Sequence, residues 1–332
     1  MASPHTATHW AQAGETTFVA GIRFLGAVHR WLGRGPFLAC LYPVVLWHWV
    51  RHGEARRASL QYLRREHAFH GRPGPAPGWR QGLKHFLSFA DTILDKTLAA
   101  SGRYPFERVR VVGREPLEAL LAQGQGAVIV TAHVGCLELC QALAQRQPSL
   151  RLNVLVHTAH AERFNRVLSR LQPGNAVHLM QVTEVGPGTA VLLSERAARG
   201  EFIAVAGDRV PVAAGQGSTA SASFLGHSAP FPVGAYVLAM LLKCPLYMLG
   251  CVRQGGGHLV IFERLAERVD LPRERRAQAL ASHAGLFAAR LERLVERAPM
   301  DWFNFFHFWE QPTGSTRRGG PGAQNARNQD AP

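Results

Sequence analysis

GAVIVTAHVGCLELCQALAQ, residues 126–145, is the stretch that sets the fold class. Gly126 opens AVIVT, an apolar, β-branched run too short for a helix, which is the pattern of a strand buried on both faces. Ala132 and His133 leave the carboxyl end of that strand, and Gly135 permits a sharp turn. CLELCQALAQ then has helical composition, with Glu138 near its N-terminus.

The same alternation continues on both sides. RVRVV (108–112) alternates like a half-buried strand, while LNVLV (152–156), AVHLMQV (176–182), FIAVA (202–206) and LYMLGCV (246–252) read as buried strands. The last is placed to pair with LVIF (259–262). Helical stretches fall near 116–123, 136–145, 161–171, 189–199 and 233–243. Strands separated by helices make an α/β fold, a mostly parallel sheet flanked by helices. Ligands of such sheets sit beyond the carboxyl ends of the strands, where chemistry is expected. A long helix, 273–298, places Leu280, Ala284, Phe287, Leu291 and Leu294 on one face and stops at Pro299. The following DWFNFFHFWE (301–310) reads as a plug of core aromatics.

The chain has 332 residues, 47% hydrophobic and 18% charged, so it can bury a large core. Its net charge is +14, and all but Lys84, Lys96 and Lys243 of its 37 basic residues are arginine. Such a surface attracts polyanions. Residues 1–80 hold ten arginines against three acids, half of that net charge. Within them GPFLACLYPVVLWHWV (35–50) has no charged residue, yet it is too short to span a bilayer and contains Pro43. Tyr42, Trp47 and Trp49 suit the headgroup level. Residues 1–69 are therefore expected as an N-terminal basic, membrane-associating helical arm with an amphipathic and apolar character. Residues 70–80, HGRPGPAPGWR, read as a Pro/Gly linker, 81–310 as the α/β domain and 311–332 as a disordered tail. Five cysteines, odd in number and in apolar surroundings, suit reduced thiols.

His-x-x-x-x-Glu occurs at His133–Glu138, His157–Glu162 and His258–Glu263. Chance supplies roughly one such match in this composition, so context must decide. His258–Glu263 lies within one strand, where an odd offset puts the two on opposite faces. His133–Glu138 has the histidine at a strand end and the glutamate in the next helix's first turn, so the carboxylate can hold one imidazole nitrogen and leave the other as a base. His157–Glu162 has a similar setting without the glycine and stays open on spacing. GDRVPV (207–212) leaves the strand FIAVA, so Asp208 and Arg209 face the expected crevice, with Arg209 as an anion clamp. FLGHSAPFPVGAYVLAMLLKCP, with Phe224 and Gly226, suits a loop and helix lining an apolar groove. No G-x-S-x-G elbow, Walker motif or nucleic-acid-binding signature is present, and no cysteine–histidine set has structural-zinc spacing.

The strand leading into TAHVGCLE, the later GDRVPV, and FLGHSAPFPVGAYVLAMLLKCPLY together resemble the lysophospholipid acyltransferase superfamily, in the branch of bacterial lipid A lauroyl/myristoyl acyltransferases. HWAQAGE, VHTAHAERFN and DWFNFFHFW are similar to the same branch. The resemblance implies that His133 is the general base, that Glu138 orients it, and that the acceptor attacks an acyl thioester. It further implies acyl carrier protein or coenzyme A as donor, a lipid-like acceptor, an anionic membrane surface, no nucleic acid, no metal and no cofactor. The place of action would be the cytoplasmic side of a bacterial inner membrane, in peripheral or monotopic attachment. Asp208, Arg209, Gly135, Phe224 and Gly226 are the expected substrate-binding positions, and the oxyanion donors are sought among backbone N–H groups near Gly135 or a basic side chain. A thioesterase using the same pair on water, and a non-catalytic basic membrane-binding protein, are the alternatives.

Overall fold

The structure, a computed structural model, describes residues 19–156, 177–181, 187–210 and 218–311. The helix expected at 161–171, the His157–Glu162 pair and the tail beyond residue 311 lie outside the described residues.

Among the described residues the main sheet has seven strands: β1 (Val109–Val112), β2 (Val128–Gly135), β3 (Leu152–Val156), β4 (Val177–Gln181), β5 (Phe202–Ala206), β8 (Leu246–Gln254) and β9 (Gly257–Ala266), in the order β1-β9-β8-β2-β5-β3-β4. β8, β2, β5, β3 and β4 run parallel; β9 is antiparallel to β8, and β1 is parallel to β9. The expected pairing of 246–252 with 259–262 is present as the β8–β9 hairpin. The most apolar strands lie innermost because only there are both faces covered. Val128, Ile129 and Val130 of β2 are all buried.

Helices α5 (Arg114–Ala122), α6 (Leu137–Gln145), α7 (Pro187–Ala198) and α8 (Gly234–Leu242) connect the strands, and α9 (Arg276–Arg297) crosses the sheet. The expected face of α9 is the buried one: Leu280, Ala284, Phe287, Leu291 and Leu294 recur at helical spacing in the main core. Phe224 and Gly226, expected along a groove, belong to a hairpin of β6 (Thr219–Phe224) and β7 (His227–Pro232). Its two-residue turn, Leu225–Gly226, has positive φ at both positions, the backbone a tight hairpin requires. Phe224 is fully buried against Trp302, Phe231 and Phe308. The hairpin buries this ring because Phe224 and Phe231 are its largest apolar side chains and the 301–310 aromatics lie beneath it.

Among the described residues four helices precede the sheet: α1 (Val19–Leu32), α2 (Arg34–Arg51), α3 (Gly53–Phe69) and α4 (Trp79–Ala100). α2 continues through Pro43 and is apolar on two sides. Phe37, Leu41 and Val45 pack on Phe86, Ala90 and Leu94 of α4, while Tyr42, Val44, Leu46, Trp47 and Val50 face outward. Among the described residues no helix is long and apolar enough to cross a membrane. α3, expected within a separate arm, is built into the body. Tyr62 and Leu63 are core residues, and the Tyr62 hydroxyl donates to the Pro299 carbonyl at 2.7 Å. The basic surface of this helix dominates its composition, whereas its buried side decides where it packs.

Candidate active site

β2 and β8 keep register from Val128 to Thr131, and then β2 advances four residues to Gly135 while β8 advances two, from Leu249 to Cys251. A bulge of this kind re-aims side chains, and it carries His133. Two contacts fix its far side. Asp301–Phe303 runs antiparallel beside it, with the Gly135 N–H donating to the Asp301 carbonyl at 2.7 Å and the Phe303 N–H to the His133 carbonyl at 3.1 Å. Gly135 has φ +61°, and a Cβ there would lie 1.8 Å from the Cys251 carbonyl oxygen, so the turn admits only glycine. The Gly135 N–H is thus engaged by the fold. Pairing with a segment 166 residues further along is invisible in the local sequence.

The His133 side chain remains 39% exposed, whereas Asp208 is 2% exposed. Asp208, just past the end of β5, accepts from the His133 backbone N–H at 2.8 Å, from His133 Nδ1 at 2.8 Å and from Trp302 Nε1 at 3.1 Å. Burial by itself would raise the Asp208 carboxyl, but the His133 ring, its hydrogen bonds and the Arg209 guanidinium outweigh it and bring the carboxyl down to about 2. An ionised carboxylate only accepts, so Nδ1 carries the proton and Nε2 presents a lone pair. Burial of the ring, followed by the nearby Arg209 charge, holds His133 below its ordinary value of 6.5 despite Asp208. The imidazole is therefore neutral at physiological pH.

Here the structure departs from the expected pairing. Glu138, in the first turn of α6, accepts from Lys96 Nζ at 2.9 Å, and Asp208 is the carboxylate on the imidazole. Lys96 comes from α4, which Arg253 at the end of β8 clamps in place: its guanidinium donates to Asp95 at 2.9 Å, to Ser88 Oγ at 3.0 Å and to Thr92 Oγ1 at 2.8 Å. Burial would lower the Lys96 ammonium, but Glu138 more than offsets that and raises it. Arg209 is oriented toward the aromatic segment, with Nη2 3.4 Å from the Phe303 carbonyl and the guanidinium 5.6 Å from the Phe306 ring centre. Two cations, Lys96 and Arg209, thus lie close enough to shift the charge of the His133 ring.

This arrangement holds a neutral base whose inner nitrogen is tied to a buried carboxylate, flanked by positive charge, at the carboxyl end of a central strand. A model of the bacterial lipid A biosynthesis acyltransferases matches residues 90–311. The chain belongs to that family. The acyltransferase match takes in His133, Glu138, Asp208, Arg209, Lys96 and Trp302, and it begins within α4. No curated protein matches the chain closely enough to count as a relative. As a member, the protein is an enzyme of acyl transfer to a lipid-like acceptor, from a family associated with the bacterial membrane.

Of the sequence-derived positions, the fold brings together His133, Gly135, Glu138, Asp208 and Arg209. It leaves Phe224 in the core and Gly226 at a hairpin tip. His258 is buried and bonded to the Tyr104 hydroxyl at 2.7 Å, while Glu263 on the same strand meets Arg290 and Arg293. Sequence reasoning missed Lys96, Trp302 and the pairing of Asp208 with the ring. One signal was available for Lys96: it is one of three lysines in a chain otherwise charged by arginine.

Proposed function

We propose that the enzyme moves a fatty or related acyl group from an acyl carrier protein or coenzyme A thioester to a hydroxyl or amine of its lipid-like acceptor, with His133 as general base. The observation that carries this reading is the neutral, Asp208-held imidazole, whose side chain stays 39% exposed with Nε2 free of that carboxylate. The acceptor's O–H or N–H gives its proton to Nε2 as the heteroatom attacks the thioester carbonyl carbon. The tetrahedral oxyanion collapses, the C–S bond breaks, and the departing thiolate takes the proton back from Nε2. The products are the acylated acceptor and the free thiol. Asp208 stabilises the imidazolium formed on the way. Lys96 and Arg209 supply positive charge for the oxyanion or for an anionic group of a substrate. Glu138, the carboxylate of the His-x-x-x-x-Glu spacing, acts in this reading by holding Lys96.

The acceptor reaches the site at the membrane surface. Phe24, Trp31 (75% exposed), Leu32, Tyr42, Val44, Leu46, Trp47 (62% exposed) and Val50 form an outward apolar face on α1 and α2, bordered by Arg30 and Arg51. A patch of this kind rimmed by arginine suits an anionic bilayer surface. Carrier thioesters place the reaction on the cytoplasmic side.

Lipid mass profiling of a host strain carrying wild type, His133→Ala or Asp208→Asn tests the reading. An acylated species present only with wild type is the expected result. Identical profiles from all three, with the proteins expressed, would overturn it. Release of free acid without any acylated acceptor would favour a thioesterase.

A further inference from the structure

The start of β1 and the β8–β9 turn lie at the same end of the sheet as His133. Cys251 of β8 pairs with Gly135, and Arg253 two residues later pairs with His258 at the start of β9, which in turn faces Val109 at the start of β1. Three strand spacings, about 14 Å, separate β1 from β2. At this end an open groove runs between Glu107–Arg110 and Gln254–Leu259.

The chemistry of the groove's rim is one-sided. Arg108 and Arg110 line the groove beside the acid Glu107, and Arg103 and Arg146 flank the adjoining 104–106 segment; all four arginines are exposed. Some exposed arginines elsewhere are matched by acids, as Arg57 is by Glu54, Arg114 by Glu118, Arg199 by Glu201, Arg264 by Glu267 and Arg268 by Asp270, while Arg273 and Arg275 are exposed without an ion pair among the described residues. Among the described residues none of the four rim arginines is in an ion pair. Arg146 instead lies over the Phe106 ring at 4.4 Å, and Arg110 donates to Gln254 at 3.0 Å. A cluster of solvated guanidinium groups held by neutral partners fits an acidic surface, since a partner's carboxylates supply the missing counter-charge.

We propose that this sheet end, centred on Arg108 and Arg110, docks an acidic acyl carrier protein, whose thioester on its flexible arm then reaches across β9 and β8 to His133. The proposal rests on the thioester-donor reading above and adds where the donor's protein binds.

The test compares two charge reversals of equal size. Arg108→Glu/Arg110→Glu alters the rim. Arg273→Glu/Arg275→Glu alters a second exposed arginine pair, beside the N-terminus of α9, about 33 Å of helix from Arg297 and the site end. Binding of purified holo-acyl carrier protein is measured by titration at low and at physiological salt, and transfer is measured with acyl carrier protein and with acyl-pantetheine as donors. The rim variant is expected to bind the carrier at least tenfold more weakly. It should raise KM for the carrier-borne donor with kcat unchanged, and leave acyl-pantetheine turnover untouched. The control pair should behave as wild type, and His133→Ala should bind the carrier normally but transfer nothing.

Unaltered carrier binding by the rim variant, or equal weakening by both pairs, overturns the docking site while leaving the transfer reading intact. Loss of binding to phosphatidylglycerol vesicles by the rim variant, with carrier binding retained, would reassign the surface to the membrane. Loss of thioester transfer in wild type, with carrier binding intact, would sink the donor reading instead.

Discussion

Asp208 lies 75 residues beyond His133 and receives two hydrogen bonds from it, one from the backbone N–H and one from Nδ1, both at 2.8 Å. One carboxylate thereby fixes both the chain path of the bulge and the tautomer of the ring it carries. A third donor, Trp302 Nε1, leaves this buried anion satisfied on every side that the fold presents.

Asp208→Asn keeps the size of the side chain and removes its charge, so the ring loses the partner that holds Nδ1–H and stabilises the imidazolium. The expected loss in kcat is between about 10² and 10⁴, with KM for the acceptor little changed. Steady-state kinetics on the purified variant decide it, and a wild-type kcat would remove Asp208 from the mechanism.

Trp302→Phe keeps an aromatic ring among Tyr62, Phe224 and Phe308, but it deletes the Nε1–H donor and leaves the space of the lost second ring. We expect a stability loss of at least about 1–3 kcal/mol by urea denaturation, the range for a buried hydrogen bond to a charged group, with the space left by the smaller ring adding to it. The kcat should fall less than in Asp208→Asn, because the His133 bonds remain.

Activity should require the neutral imidazole. Since burial and Arg209 hold His133 below 6.5, kcat/KM should be flat at neutral pH and fall only as the pH drops through a midpoint below 6.5. A midpoint above 6.5 in the pH profile would contradict the geometry of the site.

Stability has its own pH window. His85, bonded to Ser59 Oγ and the Trp302 carbonyl, and His258 are both held near 4, chiefly by burial. Their folded values lie below 6.5, so the unfolded chain takes up protons first and stability falls as pH drops from 6.5 toward 4. The full effect is roughly 3 kcal/mol per ring. Denaturation midpoints at pH 7, 6 and 5 should decline, and His85→Gln should flatten the slope while lowering stability at pH 7.

The outward face of α1 and α2 gives a separable test. Trp31→Ser/Trp47→Ser should leave the melting temperature within a few degrees and sharply reduce sedimentation with anionic vesicles. Phe37→Ala, on the buried side of α2, should instead destabilise the protein by about 3–5 kcal/mol. Vesicle binding that survives the double substitution would place the membrane contact elsewhere.

Much of the sheet was legible in the sequence because each strand announces itself locally. LNVLV and FIAVA coincide with β3 and β5, and the buried face of α9 follows from its spacing alone. His133 at the end of a central strand was legible for the same reason, as was the place of Asp208 and Arg209 just past the end of β5. Periodicity reports which side of an element is buried; it carries no information on which distant side chains meet there. Lys96, 42 residues before Glu138, and Trp302, 94 residues after Asp208, reach the site through the Arg253 clamp on α4 and the pairing of 301–303 with the bulge. The sequence by itself therefore determined most strands of the main sheet, the strand end that bears His133 and the family. Tertiary packing alone decided that Asp208 takes the imidazole and Glu138 takes the lysine, because a hydrogen bond depends on ångström-scale approach between groups that the chain keeps far apart.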